Sequence, residues 1–270
     1  MFHNLAQLVR YRALIQSLVA RELKARYRGS VLGFFWSFVN PLLLLLVYSF
    51  VFAYVLKNNA PETKPYPLFL FCGLLPWTWF SSSLLESSSV LISGGNLIKK
   101  VLFPAEVLPI VTVLANMVHF LLALPILLLF LIYYAAPVTL GEVAWFPVVV
   151  LVQLILTVGL ALIVSALTVH FRDIKDILGN LVTFWFFATP IIYPMLPGTG
   201  PFAGARPIVR DLFNLNPFTH LAVSYQEILF FPGPYGHWKW LLALGVASIA
   251  LFLAGYFLFD RLRDSFAEEV

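Results

Sequence analysis

The sequence predicts an all-α, polytopic membrane protein with six transmembrane helices, an N-terminal amphipathic helix and short external helices. Of its 270 residues, 61% are hydrophobic and only 11% are charged, whereas soluble domains carry about 25% charged residues. The charges lie between long uncharged stretches, each able to cross a hydrocarbon core of about 30 Å as a helix. A soluble domain of this length could not bury so much apolar surface. The single Cys72 excludes an intrachain disulfide.

Residues 1–31 are expected to form a cytoplasmic helix that lies in the membrane interface. Its leucines, isoleucines and valines fill one broad arc at the helical period. Arg12, Glu22 and Arg26 break this pattern. A helix that packs against a partner domain is the alternative explanation. The opposite sector is basic and would face anionic headgroups; it holds Arg10, Arg21, Lys24 and Arg28.

Residues 32–270 are expected to form the transmembrane domain. Gly94-Gly95, Pro137 and other breakers separate its uncharged stretches. Glu86 is the only carboxylate well inside a predicted span; it lies toward the cytoplasmic end, where it could reach water, Lys99 or Lys100, and this explanation is simpler than a proton relay. His119 is the lone histidine of another span, and such a histidine is more often a hydrogen-bonded packing residue than a ligand. Two short external helices are expected at about 206–215 and 217–231. The spans are predicted at 32–56, 68–93, 107–136, 146–169, 174–193 and 238–259.

The distribution of Lys and Arg predicts the orientation. Six precede the first predicted span, and pairs follow at 99–100, 172–175 and 261–263, which makes 12 of the 17 basic residues. The other five fall in the alternate loops. Because basic residues beside a span tend to stay inside, both termini are expected in the cytoplasm. The net charge of +4 therefore indicates topology, and no nucleic-acid partner is expected.

The junction into the first span carries a resemblance. It reads Arg-Glu-Leu-Lys-Ala-Arg-Tyr-Arg-Gly-Ser-Val-Leu-Gly-Phe-Phe-Trp-Ser-Phe-Val-Asn-Pro over residues 21–41. This segment resembles the entry into the first span of ABC-2 type transporter permeases. Within that family it is most similar to the membrane subunits that export O-antigen, teichoic acid and related lipid-linked polysaccharides. The resemblance also implies that the external helices at 195–237 re-enter the outer leaflet as gate helices.

The resemblance gives a role to the loop after the second span. Gly94-Gly95 ends one helix and Pro104 stops the next, which brackets a short helix. An ordinary cytoplasmic loop would satisfy the charge rule equally well. By resemblance, this is the coupling helix that docks on a partner ATPase; its residues are Asn96, Leu97, Ile98, Lys99, Lys100, Val101 and Phe103.

The chain itself has no phosphate-binding loop, no metal-ligand motif and no catalytic motif. It is therefore expected to be a transport subunit rather than an enzyme, without a cofactor of its own. By resemblance, ATP and Mg²⁺ bind to the partner ATPase, and a homodimer of permeases assembles with two ATPases in the bacterial inner membrane. The implied cargo is a polyprenyl-diphosphate-linked polysaccharide moved outward among membrane lipids. An ABC-2 exporter of drugs or other lipids is the alternative. A self-contained ion-coupled carrier or channel is disfavoured by the single intramembrane carboxylate.

Aromatic residues are the candidates for the substrate channel. They make up 16% of the chain, and sugar C–H faces can stack on rings while their hydroxyls stay in water. The alternative is the aromatic belt that anchors spans at both interfaces. The candidate channel residues are Phe35, Trp36, Phe38, Phe184, Trp185 and Phe187.

Overall fold

A computed structural model describes residues 11–55, 61–95, 104–195 and 207–269. These residues are helical and contain no β-strand. Trp36–Ser49 continues a 3-10 turn at Gly33–Phe35 and runs on into a π-helix at Phe50–Val55. The α-helices are α1 Arg12–Arg26, α2 Trp36–Ser49, α3 Tyr66–Ser93, α4 Val107–Tyr133, α5 Leu140–Val143, α6 Phe146–His170, α7 Ile174–Phe187, α8 Pro207–Leu215, α9 Pro217–Leu229, α10 Trp238–Leu262 and α11 Phe266–Glu269.

Within the described residues, four helical segments are long and apolar enough to cross a membrane: α3, α4, α6 together with α5, and α10. They correspond to the second, third, fourth and sixth predicted spans. Each segment is at least 27 residues long and predominantly apolar, and inside a bilayer a helix satisfies all the backbone polar groups of such a segment within itself.

The first and fifth predicted spans differ from these four. The first is helical from Gly33 to Val55, but as three successive types of helix. The fifth is the 14-residue α7, which is about 21 Å long at 1.5 Å per residue. It ends at Phe187, six residues before the predicted end, because Pro190 follows closely and disfavours further helix.

Helix α3 lies at the centre of the bundle. Its buried side chains cover all sides, including Phe69, Phe71, Trp79 and Phe80. Helices α4, α6 and α9 pack around it. Because α3 has buried side chains on all sides, it is the common packing partner of these helices.

Helix α1 packs on the bundle through its apolar face. Leu14, Leu18 and Val19 pack with Val107 and Val111, at the first turns of α4. The side chains of Arg21, Lys24 and Arg28 are exposed. The apolar arc predicted from the sequence therefore has a protein partner within this chain.

Glycines allow α6 and α10 to cross closely. A Cβ added at Gly255 would lie 2.6 Å from the carbonyl oxygen of Gly159, and one at Gly159 would lie 2.9 Å from the Cα of Phe252. Small residues at such crossings let two backbones approach and pack. The contact therefore requires glycine on both helices.

We expect Gly255→Ala to destabilise the bundle by about 2 kcal/mol, the typical cost of overpacking, because the added methyl meets backbone rather than a movable side chain. Gly245→Ala is the matched control on the same helix, since its Cβ would lie 3.4 Å from a Val152 methyl, an ordinary contact. Thermal unfolding in detergent compares the two variants. Equal loss from both would contradict the close-crossing explanation.

Candidate functional site

An ion pair connects α1 to two membrane-length helices. The Arg26 guanidinium lies 2.6 Å from a Glu86 oxygen of α3 and donates to the Asn116 side-chain oxygen of α4 at 3.0 Å. The Asn116 amide donates in turn to Glu86 at 2.7 Å and to the Thr112 carbonyl at 3.1 Å. Glu86, the only carboxylate well inside a predicted span, is therefore paired with a cation of α1.

A second polar cluster lies beside the ion pair. The Tyr27 hydroxyl is 2.5 Å from the Ser37 hydroxyl and 3.1 Å from Nδ1 of His119. Ser37 Oγ is itself 3.2 Å from His119 Nδ1. His119 is thus a hydrogen-bonded residue that joins α4 to α2 and to the end of α1. The sequence predicts a hydrogen-bonded histidine at this position.

A cavity of about 760 Å³ opens beside these two clusters, between α1, α2, α3 and α4. We call it the α1 cavity. The Trp36 indole is held at its wall by a hydrogen bond to Ser30 at 3.1 Å. The cavity is lined by Arg26, Tyr27, Ser30, Trp36, Ser37, Asn40, Pro41, Leu43, Leu44, Val47, Leu75, Thr78, Trp79, Ser82, Asn116, His119, Phe120 and Ala123.

A junction around Asn216 connects α7 to α9 elsewhere in the bundle. The Asn216 amide donates to the Ala188 carbonyl and to the Thr189 hydroxyl, both at 2.9 Å. Its side-chain oxygen accepts from the Trp185 indole at 2.7 Å and from the Phe218 backbone at 3.0 Å. Asn216 also caps α9, with Pro217 in the first turn. One side chain therefore sets how the chain re-enters the bundle after α7.

Buried amides hold α9 inside the bundle. Gln153 of α6 donates to the Pro76 carbonyl of α3 at 2.8 Å and accepts from the Tyr225 hydroxyl at 2.9 Å. Gln226 donates to the Pro190 carbonyl at 2.8 Å. Because buried polar groups are costly unless they are paired, this network specifies one position for α9. The second external helix predicted from the sequence is thus a largely buried element.

The structure separates the candidate channel aromatics. Trp36 lines the α1 cavity, whereas Trp185 is turned inward to the Asn216 junction and packs edge-on against Phe80, with ring centroids 5.2 Å apart. Phe184 and Phe187 of α7 are 70% and 51% exposed. The remaining two candidates are Phe35, which is 68% exposed, and Phe38, which is half-buried.

The structure does not describe the candidate coupling residues, and it describes only three of the four interfacial basic residues. The seven coupling residues, 96–103 without Leu102, lie outside the described residues, as does Arg10. The described flanks of this segment are Gly95 and Pro104. Among the described residues, no three His, Cys, Asp or Glu side chains gather as metal ligands.

Sequence reasoning missed Arg26 and Asn216. Arg26 lies outside the basic sector of α1, and a cation in that position indicates a partner other than headgroups. Asn216 before Pro217 carries the signature of a helix N-cap, but nothing local predicts that it also binds α7. From the sequence, Glu86 could reach water, Lys99 or Lys100, and these lysines lie outside the described residues; the structure pairs Glu86 with Arg26.

Glu106, just before α4, is a buried carboxylate with an unsatisfied oxygen. It is 3% exposed, and its Oε2 has no hydrogen-bond partner among the described residues. Its Oε1 accepts weakly from Tyr256 at 3.5 Å. Burial raises the pKa of Glu106 above its usual value of 4.5, although Arg263 opposes the shift.

A raised pKa in the folded state means that folding favours the protonated acid. The ionised form therefore costs stability at neutral pH, and stability should rise as the pH falls through the raised pKa toward 4.5. We expect Glu106→Gln to stabilise the protein at pH 7.5 by about 1 kcal/mol, the low end of the cost of an unsatisfied buried polar group, and to flatten this dependence. Apparent Tm measured from pH 4 to 8 tests it, with Glu22→Gln on the exposed side of α1 as the control. A lower Tm for Glu106→Gln at neutral pH would refute the prediction.

Residues 13–230 match the ABC-2 type transporter family. The chain is 43% identical, over all of both sequences, to the O-antigen export system permease protein RfbA of Myxococcus xanthus. It is 32% identical to the Klebsiella pneumoniae protein of the same name, over 94% of each chain.

A more distant relative is named for a different cargo. The polysialic acid transport protein KpsM of Escherichia coli is 26% identical over 67% of this chain and 70% of its own. The family match covers most of the described helices, from α1 to the end of α9. The chain therefore belongs to the ABC-2 type transporter family of multi-pass membrane proteins.

Proposed function

We propose that this protein is the membrane permease subunit of an ATP-driven exporter that moves a polysaccharide outward across the bacterial cytoplasmic membrane. The observation that carries the proposal is the identity of 43% over the whole of both chains to an O-antigen export permease. The match to a polysialic acid transport protein supports the same class of cargo. The cargo would be carried on a polyprenyl diphosphate.

The energy would come from a separate ATPase. The family consists of transporters, and the sequence has no nucleotide-binding motif of its own. The segment 96–103 would dock on that ATPase. Both termini, α1 and this segment would face the cytoplasm, as the Lys and Arg distribution favours.

Six spans would follow from this orientation, with the helical stretch from Gly33 to Val55 as the first and α7 as the fifth. If the stretch from Gly33 to Val55 did not cross, only α3, α4 and α6 would cross before residue 172. The basic pair at 172–175 would then lie on the side opposite the basic residues that precede the first span. The short α7 would reach only part of the hydrocarbon thickness, and α9 would return into the same leaflet.

The exporter would contain two copies of this chain. The first span and α7 lie side by side, with Tyr48 and Phe186 ring centroids 5.3 Å apart. Both present apolar exposed faces, which include Phe50 and Tyr54 on the first span and Leu181 and Phe184 on α7. Two such faces would enclose a pathway between the copies, because one bundle alone leaves half a pathway.

The proposal is tested by deleting the gene and measuring polysaccharide at the cell surface and inside the cell. Loss from the surface with accumulation inside supports polysaccharide export. Unchanged surface polymer would overturn it in favour of a drug or lipid cargo. Transport by the purified permease in liposomes without any ATPase would instead support a self-contained carrier.

A further inference from the structure

The α1 cavity has a polar end and an apolar end. Arg26, Asn116 and His119 lie at the polar end, near the end of α1. Leu43, Leu44 and Val47 line the cavity further along the first span, and Leu75, Phe120 and Ala123 line it from α3 and α4. A cavity divided in this way matches an amphiphile, with its head near α1 and its chain along the first span.

The polar end offers hydrogen-bonding groups that the protein does not use. The side chains of Asn40 and Ser82 make no hydrogen bond within the part of the chain that the structure describes. Of the five N–H groups of the Arg26 guanidinium, one is engaged by Glu86 and one by Asn116. Unused polar groups inside a membrane are costly, which favours a bound polar headgroup.

The cavity opens sideways along the first span. Leu43, Leu44 and Val47 line it and are 49%, 40% and 54% exposed. Within one copy this apolar side is open, and an acyl chain could enter the cavity through it. A hydrated sugar chain fits poorly because the apolar end has too few groups to bind its hydroxyls.

We propose that the α1 cavity holds an anionic phospholipid that stays with the permease. Its phosphate would accept hydrogen bonds from Arg26, Asn40 and Ser82, and one acyl chain would lie on Leu43, Leu44 and Val47. Lys24 and Arg28 do not line the cavity, but they are exposed and neighbour its lining residues Arg26 and Tyr27 along the chain. Their positive charge would favour an anionic headgroup, because Glu86 already pairs with Arg26. The proposal does not depend on which cargo the exporter carries.

The acyl-chain half of the proposal is tested with Val47→Trp, which fills the apolar end. The matched control is Leu46→Trp, because Leu46 is 64% exposed on the same helix and does not line the cavity. The full-length permease is purified, exchanged into micelles that contain phosphatidylglycerol, and examined by native mass spectrometry. We expect one retained phosphatidylglycerol per wild-type chain and about tenfold less in Val47→Trp, with Leu46→Trp unchanged. Equal retention by the two variants would overturn the proposed site.

The headgroup half is tested with Asn40→Leu, against Asn180→Leu on the exposed surface of α7. Retention should fall only in Asn40→Leu. Diacylglycerol with the same chains should not be retained, and inorganic phosphate should not compete; retention of diacylglycerol would remove the role of the phosphate. Preferential retention of undecaprenyl phosphate over phosphatidylglycerol would overturn the assignment to a resident phospholipid.

Discussion

Replacing Phe184 and Phe187 together by Ala should lower surface polysaccharide about tenfold, while the amount of permease in the membrane stays the same. Each ring can contribute about 1 kcal/mol of stacking, so losing two such contacts along the pathway slows transport by about an order of magnitude. Both side chains are more than half exposed, so folding should not depend on them. Surface and internal polymer are measured at matched permease levels.

The control for this pair lies on the same helix. Ile177 and Leu181 are 62% and 49% exposed on α7, and replacing both by Ala removes apolar surface without removing a ring. Export should persist in this control if stacking is what matters. An equal loss in both double variants would assign this face of α7 to packing between copies or to lipid anchoring. Phe35→Ala with Trp36→Ala tests the other candidate rings in the same way.

Introducing Asp at Leu97, Ile98 or Val101 should uncouple ATP hydrolysis from export. If this short segment docks in a groove of the ATPase, a buried unpaired charge costs about 3 kcal/mol, and export should fall about a hundredfold. Permease abundance in the membrane should not change, because these residues lie outside the predicted spans. ATPase activity, surface polymer and membrane abundance are measured on the same preparations.

Val143→Asp is the control for an added charge, because Val143 is exposed in the short α5 and far along the chain from the coupling segment. It should export normally. Single cysteines at 97–101 should also crosslink to the ATPase. Free labelling of these cysteines from outside the cell would show that the orientation itself is wrong.

The long uncharged stretches determined four helices from the sequence alone. In a bilayer an apolar stretch of this length forms a helix, because every backbone polar group must be hydrogen-bonded within the segment. Local chemistry also predicted the short helices α8 and α9, since Pro marks their first turns. The fifth segment was predicted too long because apolar composition extends past Phe187, although the helix stops before Pro190.

Only the tertiary structure decided which partners these helices have. The ion pair of Arg26 with Glu86 joins residues 60 positions apart, and Asn216 reaches back 28 residues to Ala188. No local sequence pattern predicts a contact between residues so far apart along the chain. The apolar face of α1 illustrates the same limit: lipid and the side of α4 are equally apolar, so amphipathicity alone could not distinguish them. The sequence by itself determined the class of protein and its helices through backbone bonding in the bilayer, whereas side-chain packing between distant helices decided the cavity and the junction.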